Sequence, residues 1–213
     1  MAAQQAHETS DWSELAAYGQ QRSFARHSRI FGADQPADAL FLLLKGEVRL
    51  PLRSHDGRAL TVEVAAPGQL FGHMALVRHA HYDTDADAIR PVEAVAIEAE
   101  PLRRLLGARP DLSLLLLREL ARYRSVVSRR LDEVAFKSVP ARLASLLLHM
   151  GDAATASDRL PRRTHQQLAE MINAYRETVT KVINQFRDAR LLDVDSTGIR
   201  LLNVKQLRKL AQE

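Results

Sequence analysis

The spacing of apolar residues changes near Pro101, and this change divides the chain into two kinds of structure. Between Arg29 and Ile97, apolar runs of two to six residues alternate with turn-forming residues. Beyond Pro101 the apolar residues recur at intervals of three and four, which is typical of helices. This order predicts an α+β fold in which strands precede helices.

The first part is predicted to be an antiparallel β-roll. Turn signals such as Asp56-Gly57 and Pro67-Gly68 recur every 8–12 residues. They favour turns because glycine adopts positive φ angles without steric cost. That spacing favours hairpins over β-α-β units. The predicted strands are Ala39–Leu44, Val48–Leu52, Leu60–Val64, Leu70–Phe71, Ala88–Ile89 and Val92–Ile97. Residues 1–28 are expected to form a short helical lead-in to the roll.

A helix of about 25 residues is predicted between Pro110-Asp111, which suit a helix start, and Pro140. Its apolar stripe would pair with a parallel copy of the chain, or would pack on the chain's own β-domain. A helix of this length spans nearly 40 Å, more than one small domain covers, which favours a homodimer. The predicted dimer interface comprises Leu116, Leu120, Tyr123, Val127, Leu131 and Val134.

The last third of the chain reads as a winged helix-turn-helix. Thr164 and Gln167 form a capping box, which marks a helix N-terminus. A short turn at 173–175 leads to a second helix that starts at Arg176. Apolar runs on either side of Asp195–Gly198 predict a hairpin that would form the wing.

The charge distribution points to nucleic acid as a partner. Residues 1–137 contain 18 basic and 18 acidic residues, whereas 138–213 contain 12 and 8, so the formal charge of +4 lies in the last third. The absence of cysteine excludes disulfides, thiolate zinc sites and cysteine-ligated iron–sulfur clusters. Without a long apolar run or a signal peptide, the chain is expected to be cytoplasmic and not membrane-bound.

With these parts in this order, the chain resembles the cyclic AMP receptor protein/FNR family of bacterial transcription regulators, over about residues 29–204. The most specific matches are Thr164–Ala169 and Arg176–Val179; weaker ones are Leu44–Val48 and Pro67–Gly72. Stress-response members of the Deinococcus–Thermus group are the most similar. The resemblance implies a sensor domain at 1–110, a dimerisation helix at 111–137 and a DNA-binding domain at 138–213.

The resemblance further implies a homodimer that acts as an activator, binds promoter DNA of the TGTGA-N6-TCACA kind and presents a surface to RNA polymerase. In its DNA-reading helix, Arg176 corresponds to the residue that pairs with guanine, Glu177 to the residue that accepts from cytosine, and Lys181 to a basic residue one turn on. Ordinary charges at a solvated helix start are the alternative. The expected DNA contacts are Thr164, His165, Gln166, Tyr175, Arg176, Glu177, Thr178, Thr180 and Lys181.

The effector pocket departs from the family pattern. Where cyclic-AMP-binding members have Phe-Gly-Glu-Leu and then Arg-Ser, this chain has Phe71–Met74 and Asp83-Thr84, and an aspartate would repel the cyclic phosphate. We therefore expect no cofactor and a regulator that needs no cyclic AMP; cyclic AMP held by Arg78 or Arg90 is the alternative. The pocket positions are Phe71, Gly72, His73, Met74, Asp83, Thr84, Val127 and Ser128.

Two further alternatives concern other chemistry. Three histidines within 73–81 and three aspartates within 83–87 could hold a metal ion or haem, but they match no specific signature and are interpreted as a polar loop, with no metal site. The second alternative is that the chain is a small-molecule receptor or an enzyme that uses its helical tail only to oligomerise. The chain has no nucleophile elbow, P-loop or His-Glu-x-x-His motif, so we predict that it is not an enzyme.

Overall fold

The computed structural model describes residues 12–54, 59–153, 159–160, 163–195 and 198–212. These residues form two compact units: the first takes those within 1–52 and 62–126, and the second takes those within 53–61 and 127–213. Across the described ranges, no helix is both long enough and apolar enough to cross a membrane.

The N-terminal part folds as two antiparallel four-stranded sheets, which confirms the predicted β-roll. One sheet has the strand order β1-β8-β3-β6 and the other β2-β7-β4-β5. The elements are α1 (Ser13–Ala16), β1 (Gln20–Phe24), β2 (Arg29–Phe31), β3 (Ala39–Lys45), β4 (Val48–Arg53), β5 (Ala59–Ala65), β6 (Leu70–Phe71), a 3₁₀ turn (His73–Leu76), β7 (Ala86–Ala88), β8 (Val92–Glu98) and α2 (Ala99–Ala108). The predicted turn at 55–57 lies outside the described residues.

Aromatic rings fill the core of the roll. Phe31 stacks on Tyr82 with ring centroids 3.7 Å apart, and Phe41 stacks on Phe71 at 5.1 Å. The Tyr82 hydroxyl donates to the carbonyl of Ala39 at 2.8 Å and accepts from its N–H at 3.1 Å, so its polar end is satisfied. Phe71, one of the predicted pocket positions, has no exposed surface and packs in this core.

Gly72 follows Phe71 with φ +81°, a conformation that L side chains rarely adopt. A Cβ atom at this position would also lie 3.1 Å from the carbonyl oxygen of Ala39. Glycine is therefore required to turn the chain from β6 into the 3₁₀ turn that carries His73.

The prediction of a helical lead-in at residues 1–28 is wrong in part, because this segment contains the strand β1. Gln20 to Phe24 pair with Ala96 to Val92 of β8. Most β1 side chains are exposed, so the segment lacks the apolar alternation by which strands are found in a sequence. Residues 1–11 lie outside the described part of the chain.

The long helix α3 runs from Pro110 to Phe136, close to its predicted bounds. Its apolar stripe is not uniform. Leu116 is buried in the core of the first unit, which is the packing on the chain's own domain that the sequence left open. Leu120, Tyr123 and Val134 are half-buried, while Val127 and Leu131 are exposed.

The C-terminal part is a helical domain with a two-stranded wing, as predicted. Its elements are α4 (Val139–Ala153), α5 (His165–Ile172), α6 (Arg176–Asp188), β9 (Leu192–Val194), β10 (Ile199–Leu201) and α7 (Val204–Leu210). Leu143, Leu168 and Val179 bring α4, α5 and α6 into one core, which Leu207 of α7 joins. This core orients α5 and α6 as a helix-turn-helix.

Candidate nucleic-acid interface

The start of α5 is held by the predicted capping box. The Thr164 hydroxyl accepts from the N–H of Gln167 at 3.1 Å, and the Gln167 side chain accepts from the N–H of Thr164 at 2.9 Å. Each side chain thereby satisfies a donor that the first helical turn leaves unpaired. The cap fixes the start of α5, next to which the side chains of His165 and Gln166 lie.

The turn between α5 and α6 depends on Asn173. This residue ends α5 in the left-handed conformation, with φ 52°, which asparagine tolerates better than most residues. The N–H of Ala174 donates back to the carbonyl of Ala169 at 3.0 Å. The turn brings the chain to Tyr175, the N-cap of α6, whose side chain makes no capping hydrogen bond.

The two faces of α6 differ in chemistry as the sequence predicted. Val179, Val182, Ile183 and Phe186 are buried in the domain core. Arg176, Glu177 and Lys181 are exposed, so the side chains expected to contact bases are accessible to a duplex. Of the other expected contacts, Thr164, Gln166 and Tyr175 are exposed, and His165, Thr178 and Thr180 are half-buried.

A hydrogen-bonded relay connects α5 to α6. Nδ1 of His165 lies 2.8 Å from the Thr180 hydroxyl oxygen, and that hydroxyl donates to the carbonyl of Arg176 at 2.9 Å. His165 and Thr180 are both among the DNA contacts expected from the sequence, but the sequence does not connect them. A separation of 15 residues has no local signature, so only the packing of α5 on α6 brings the two side chains together.

A cleft of about 500 Å³ lies between the start of α5, the start of α6 and the wing. Its polar lining comprises Arg163, Thr164, His165, Gln166, Arg176 and Asp195. Asp195 is paired with Arg159 and accepts from the N–H of Gly198 at 3.2 Å. Two arginines therefore line the cleft, and its carboxylate is already neutralised. Residues 196–197 at the tip of the wing lie outside the described residues.

The predicted effector region contains the half-buried imidazole of His73. The ring of His73 packs against that of Tyr123, with centroids 5.0 Å apart, and its Nε2 finds no hydrogen-bond partner among the described residues. Burial lowers the pKa of His73 to about 4, an effect that nearby Glu119 opposes and Arg122 adds to. His73 is therefore neutral at physiological pH.

The other predicted effector positions differ in their exposure. Met74 is half-buried, Thr84 is buried and Asp83 is exposed. Asp83 contributes, after burial, to a raised pKa of Tyr123, so this phenol stays protonated. Val127 and Ser128 are exposed on α3.

An ion-pair network that the sequence did not reveal lies beside His73. Nη1 of Arg122 donates to Glu63 at 2.7 Å, and Nη2 donates to Glu119 at 2.7 Å. Both carboxylates are nearly buried, with side-chain exposures of 8% and 12%. The i,i+3 spacing of Glu119 and Arg122 is visible in the sequence, but Glu63 lies 59 residues from Arg122 and could not be connected to it.

Two of the three aspartates that suggested a metal site have structural partners. Asp85 accepts from the N–H of Ala33 at 2.8 Å and pairs with Arg29 at 3.2 Å. Asp87 pairs with Arg49 at 3.0 Å. Within the described ranges, no three His, Asp or Glu side chains are grouped as metal ligands would be.

Comparison with known proteins matches both parts of the chain. Residues 21–109 match the cyclic nucleotide-binding domain model, and residues 141–210 match the Crp-like helix-turn-helix domain model. The transcriptional regulator SdrP of Thermus thermophilus is 30% identical over 188 residues, which cover 85% of this chain and 88% of the relative. The chain belongs to the CRP/FNR family of transcriptional regulators.

Other CRP/FNR relatives agree. The CRP-like cAMP-activated global transcriptional regulator of Mycobacterium tuberculosis is 27% identical over 194 residues, covering 89% of this chain and 87% of the relative. A solved CRP/FNR-family regulator from Thermus thermophilus has a TM-score of 0.70 and 27% identity, and the match covers 91% of this chain and 99% of that one. These relatives are transcription regulators, which confirms the prediction that the chain is not an enzyme.

Proposed function

We propose that this regulator binds a palindromic promoter site as a homodimer and needs no cyclic AMP to do so. The observation that carries the DNA-reading part is the exposed row of Arg176, Glu177 and Lys181 on a helix whose other face is buried. The guanidinium group suits the acceptors of guanine, and the carboxylate suits the amino group of cytosine. A site of the TGTGA-N6-TCACA kind follows from the family resemblance.

Dimerisation is supported by apolar surface on α3. Leu117, Val127 and Leu131 are 59%, 38% and 66% exposed in the single chain, and exposed apolar surface is costly in water. A parallel copy of α3 would cover these side chains. We keep the division into a sensor domain (1–110), a dimerisation helix (111–137) and a DNA-binding domain (138–213), in which the dimer sets the spacing of the two half-sites.

Independence from cyclic AMP is supported by the charges beside His73. The Arg122 guanidinium is engaged by Glu63 and Glu119, so it is not available to a phosphate. His73 is neutral and Asp83 adds a further negative charge nearby. A cyclic phosphate would therefore meet carboxylates without a free cation among these groups, which disfavours an anion.

Activation through contact with RNA polymerase in the cytoplasm is the mode that the family resemblance implies. We infer stress-response targets from the resemblance to the Deinococcus–Thermus group, and the similarity to a Thermus regulator supports this inference. The alternatives, control by cyclic AMP or, less favoured, by haem or a metal, are separated by adding the ligand to the purified protein.

The test is fluorescence anisotropy of a labelled TGTGA-N6-TCACA duplex against a scrambled duplex, at fixed salt, with and without cyclic AMP. We expect preferential binding to the palindrome, with the same Kd in both conditions. Binding that requires cyclic AMP would contradict the proposed independence. Equal affinity for both duplexes would contradict the proposed half-site.

A further inference from the structure

The relay between α5 and α6 determines which nitrogen of His165 carries a proton. The Thr180 hydroxyl has one hydrogen, and it is donated to the carbonyl of Arg176, 2.9 Å away. The same oxygen can then only accept from His165, whose Nδ1 lies 2.8 Å away. Nδ1 of His165 must therefore carry a hydrogen.

This arrangement leaves Nε2 of His165 as the variable site. In the neutral ring, Nε2 has a lone pair and can only accept a hydrogen bond; in the imidazolium ion, it donates. An ordinary histidine can meet a phosphate in its neutral form by moving its proton to the facing nitrogen. His165 cannot do so without losing its bond to Thr180.

The surroundings of His165 attract anions. The ring follows the N-cap of α5, where the helix dipole is positive. Among the described residues, the charged groups that share its cleft are Arg163 from the preceding segment, Arg176 from α6 and Asp195 from the wing, the last already paired with Arg159. These two cations and the helix N-terminus would attract a phosphate oxygen to the ring.

We propose that His165 contacts a DNA phosphate through Nε2–H as imidazolium, so that each half-site bound takes up one proton from solvent. This inference rests on the proposed DNA-binding function and adds a regulation to it. By linkage, a complex that holds more protons than its free components becomes tighter as pH falls. The regulator would thus bind promoters more tightly when the cytoplasm acidifies.

The experiment measures Kd for the TGTGA-N6-TCACA duplex by anisotropy at pH 6, 7 and 8, at fixed salt, with the full-length protein. We expect wild-type Kd to rise about tenfold from pH 6 to pH 8, within the limit of tenfold per pH unit for each proton taken up. His165→Asn keeps a group able to donate to Thr180 but cannot be protonated, so its Kd should be weak and constant. His165→Arg carries a permanent charge and should bind tightly at all three pH values.

His149→Gln is the matched control, because His149 is exposed on α4 and does not line the cleft. It should retain the wild-type pH dependence. A ¹⁵N NMR spectrum of the imidazole groups gives a direct readout: Nε2 of His165 should gain a proton when the duplex binds.

The outcomes separate this inference from the function on which it rests. Specific DNA binding with a pH-independent Kd would overturn the proton uptake alone. A wild-type pH dependence retained in His165→Asn would also overturn it. Failure to bind either the palindrome or the scrambled duplex at any pH would overturn the proposed function as well.

Discussion

Arg176 and Lys181 are both exposed cations on α6, but they are expected to contribute to DNA binding in different ways. Arg176 has the planar fork that pairs with guanine, so Arg176→Ala should cost roughly 1–3 kcal/mol at the preferred site and relax the preference at one base pair. Lys181→Ala, if the ammonium holds a phosphate, should weaken binding to all sequences and reduce the salt slope by about one. Anisotropy over a salt series measures both effects.

Lys205→Ala is the control for these substitutions. Lys205 is exposed on α7, so its replacement removes the same charge from another helix. It should leave the preference for the palindrome intact. If Arg176→Ala and Lys181→Ala both match this control, then α6 is not the DNA-reading helix.

His73 is expected to make the stability of the first unit depend on pH. Its pKa is about 4 in the folded chain against about 6.5 for an ordinary histidine, so the unfolded chain binds more protons between these values. The contribution of neutral His73 to the free energy of unfolding is therefore present above pH 6.5 and is lost as the pH falls toward 4. For wild type, the loss assigned to His73 between pH 7 and pH 4.5 should be about 2 kcal/mol.

Urea unfolding followed by the fluorescence of Trp12, the single tryptophan and a buried member of this unit's core, measures that loss. His73→Leu removes the titrating group and should show a smaller decrease between the two pH values. His27→Gln is an exposed control that should follow wild type. The same pH dependence in His73→Leu and wild type would show that His73 does not titrate in this way.

Among the helices and strands, those with their own local signal were predicted and those without it were not. The capping box of Thr164 and Gln167, the long helix after Pro110 and the apolar face of α6 all carry a periodic or capping pattern, and the structure has them. The exposed strand β1 was missed, because pairing with β8 rather than its own apolar pattern makes it a strand. The short helix α7 was also missed; Leu207 is its one fully buried residue.

The capping box itself can be tested. Thr164→Ala removes the acceptor for the N–H of Gln167 and should destabilise the C-terminal domain by about 1 kcal/mol. Urea unfolding followed by far-UV circular dichroism measures the change. Asn184→Ala, at an exposed position on α6, should leave the stability nearly unchanged. A Thr164→Ala protein as stable as wild type would mean that the cap does not stabilise α5.

For the whole molecule, the exposed residues of α3 predict the assembly state. Leu131→Arg places a charge in the proposed dimer interface of α3. Because burying this charge would oppose the pairing of two α3 helices, the variant should be monomeric. Analytical ultracentrifugation should give wild type a mass twice that of the chain. Val77→Arg introduces the same charge at an exposed apolar residue outside α3 and should remain dimeric. A Leu131→Arg variant that keeps the wild-type mass would contradict the proposed dimer interface.

The sequence by itself determined the order of the parts, the bounds of the long helix and which residues of α6 are buried or exposed, because periodicity, capping and turn chemistry are local properties. Tertiary structure alone decided that Leu116 packs inward, that Arg122 is held by Glu63 and that His165 meets Thr180. Each of these contacts joins residues separated along the chain, and the free energy that selects it comes from burial and pairing in the folded core. Such pairings have no signature in a window of neighbouring residues.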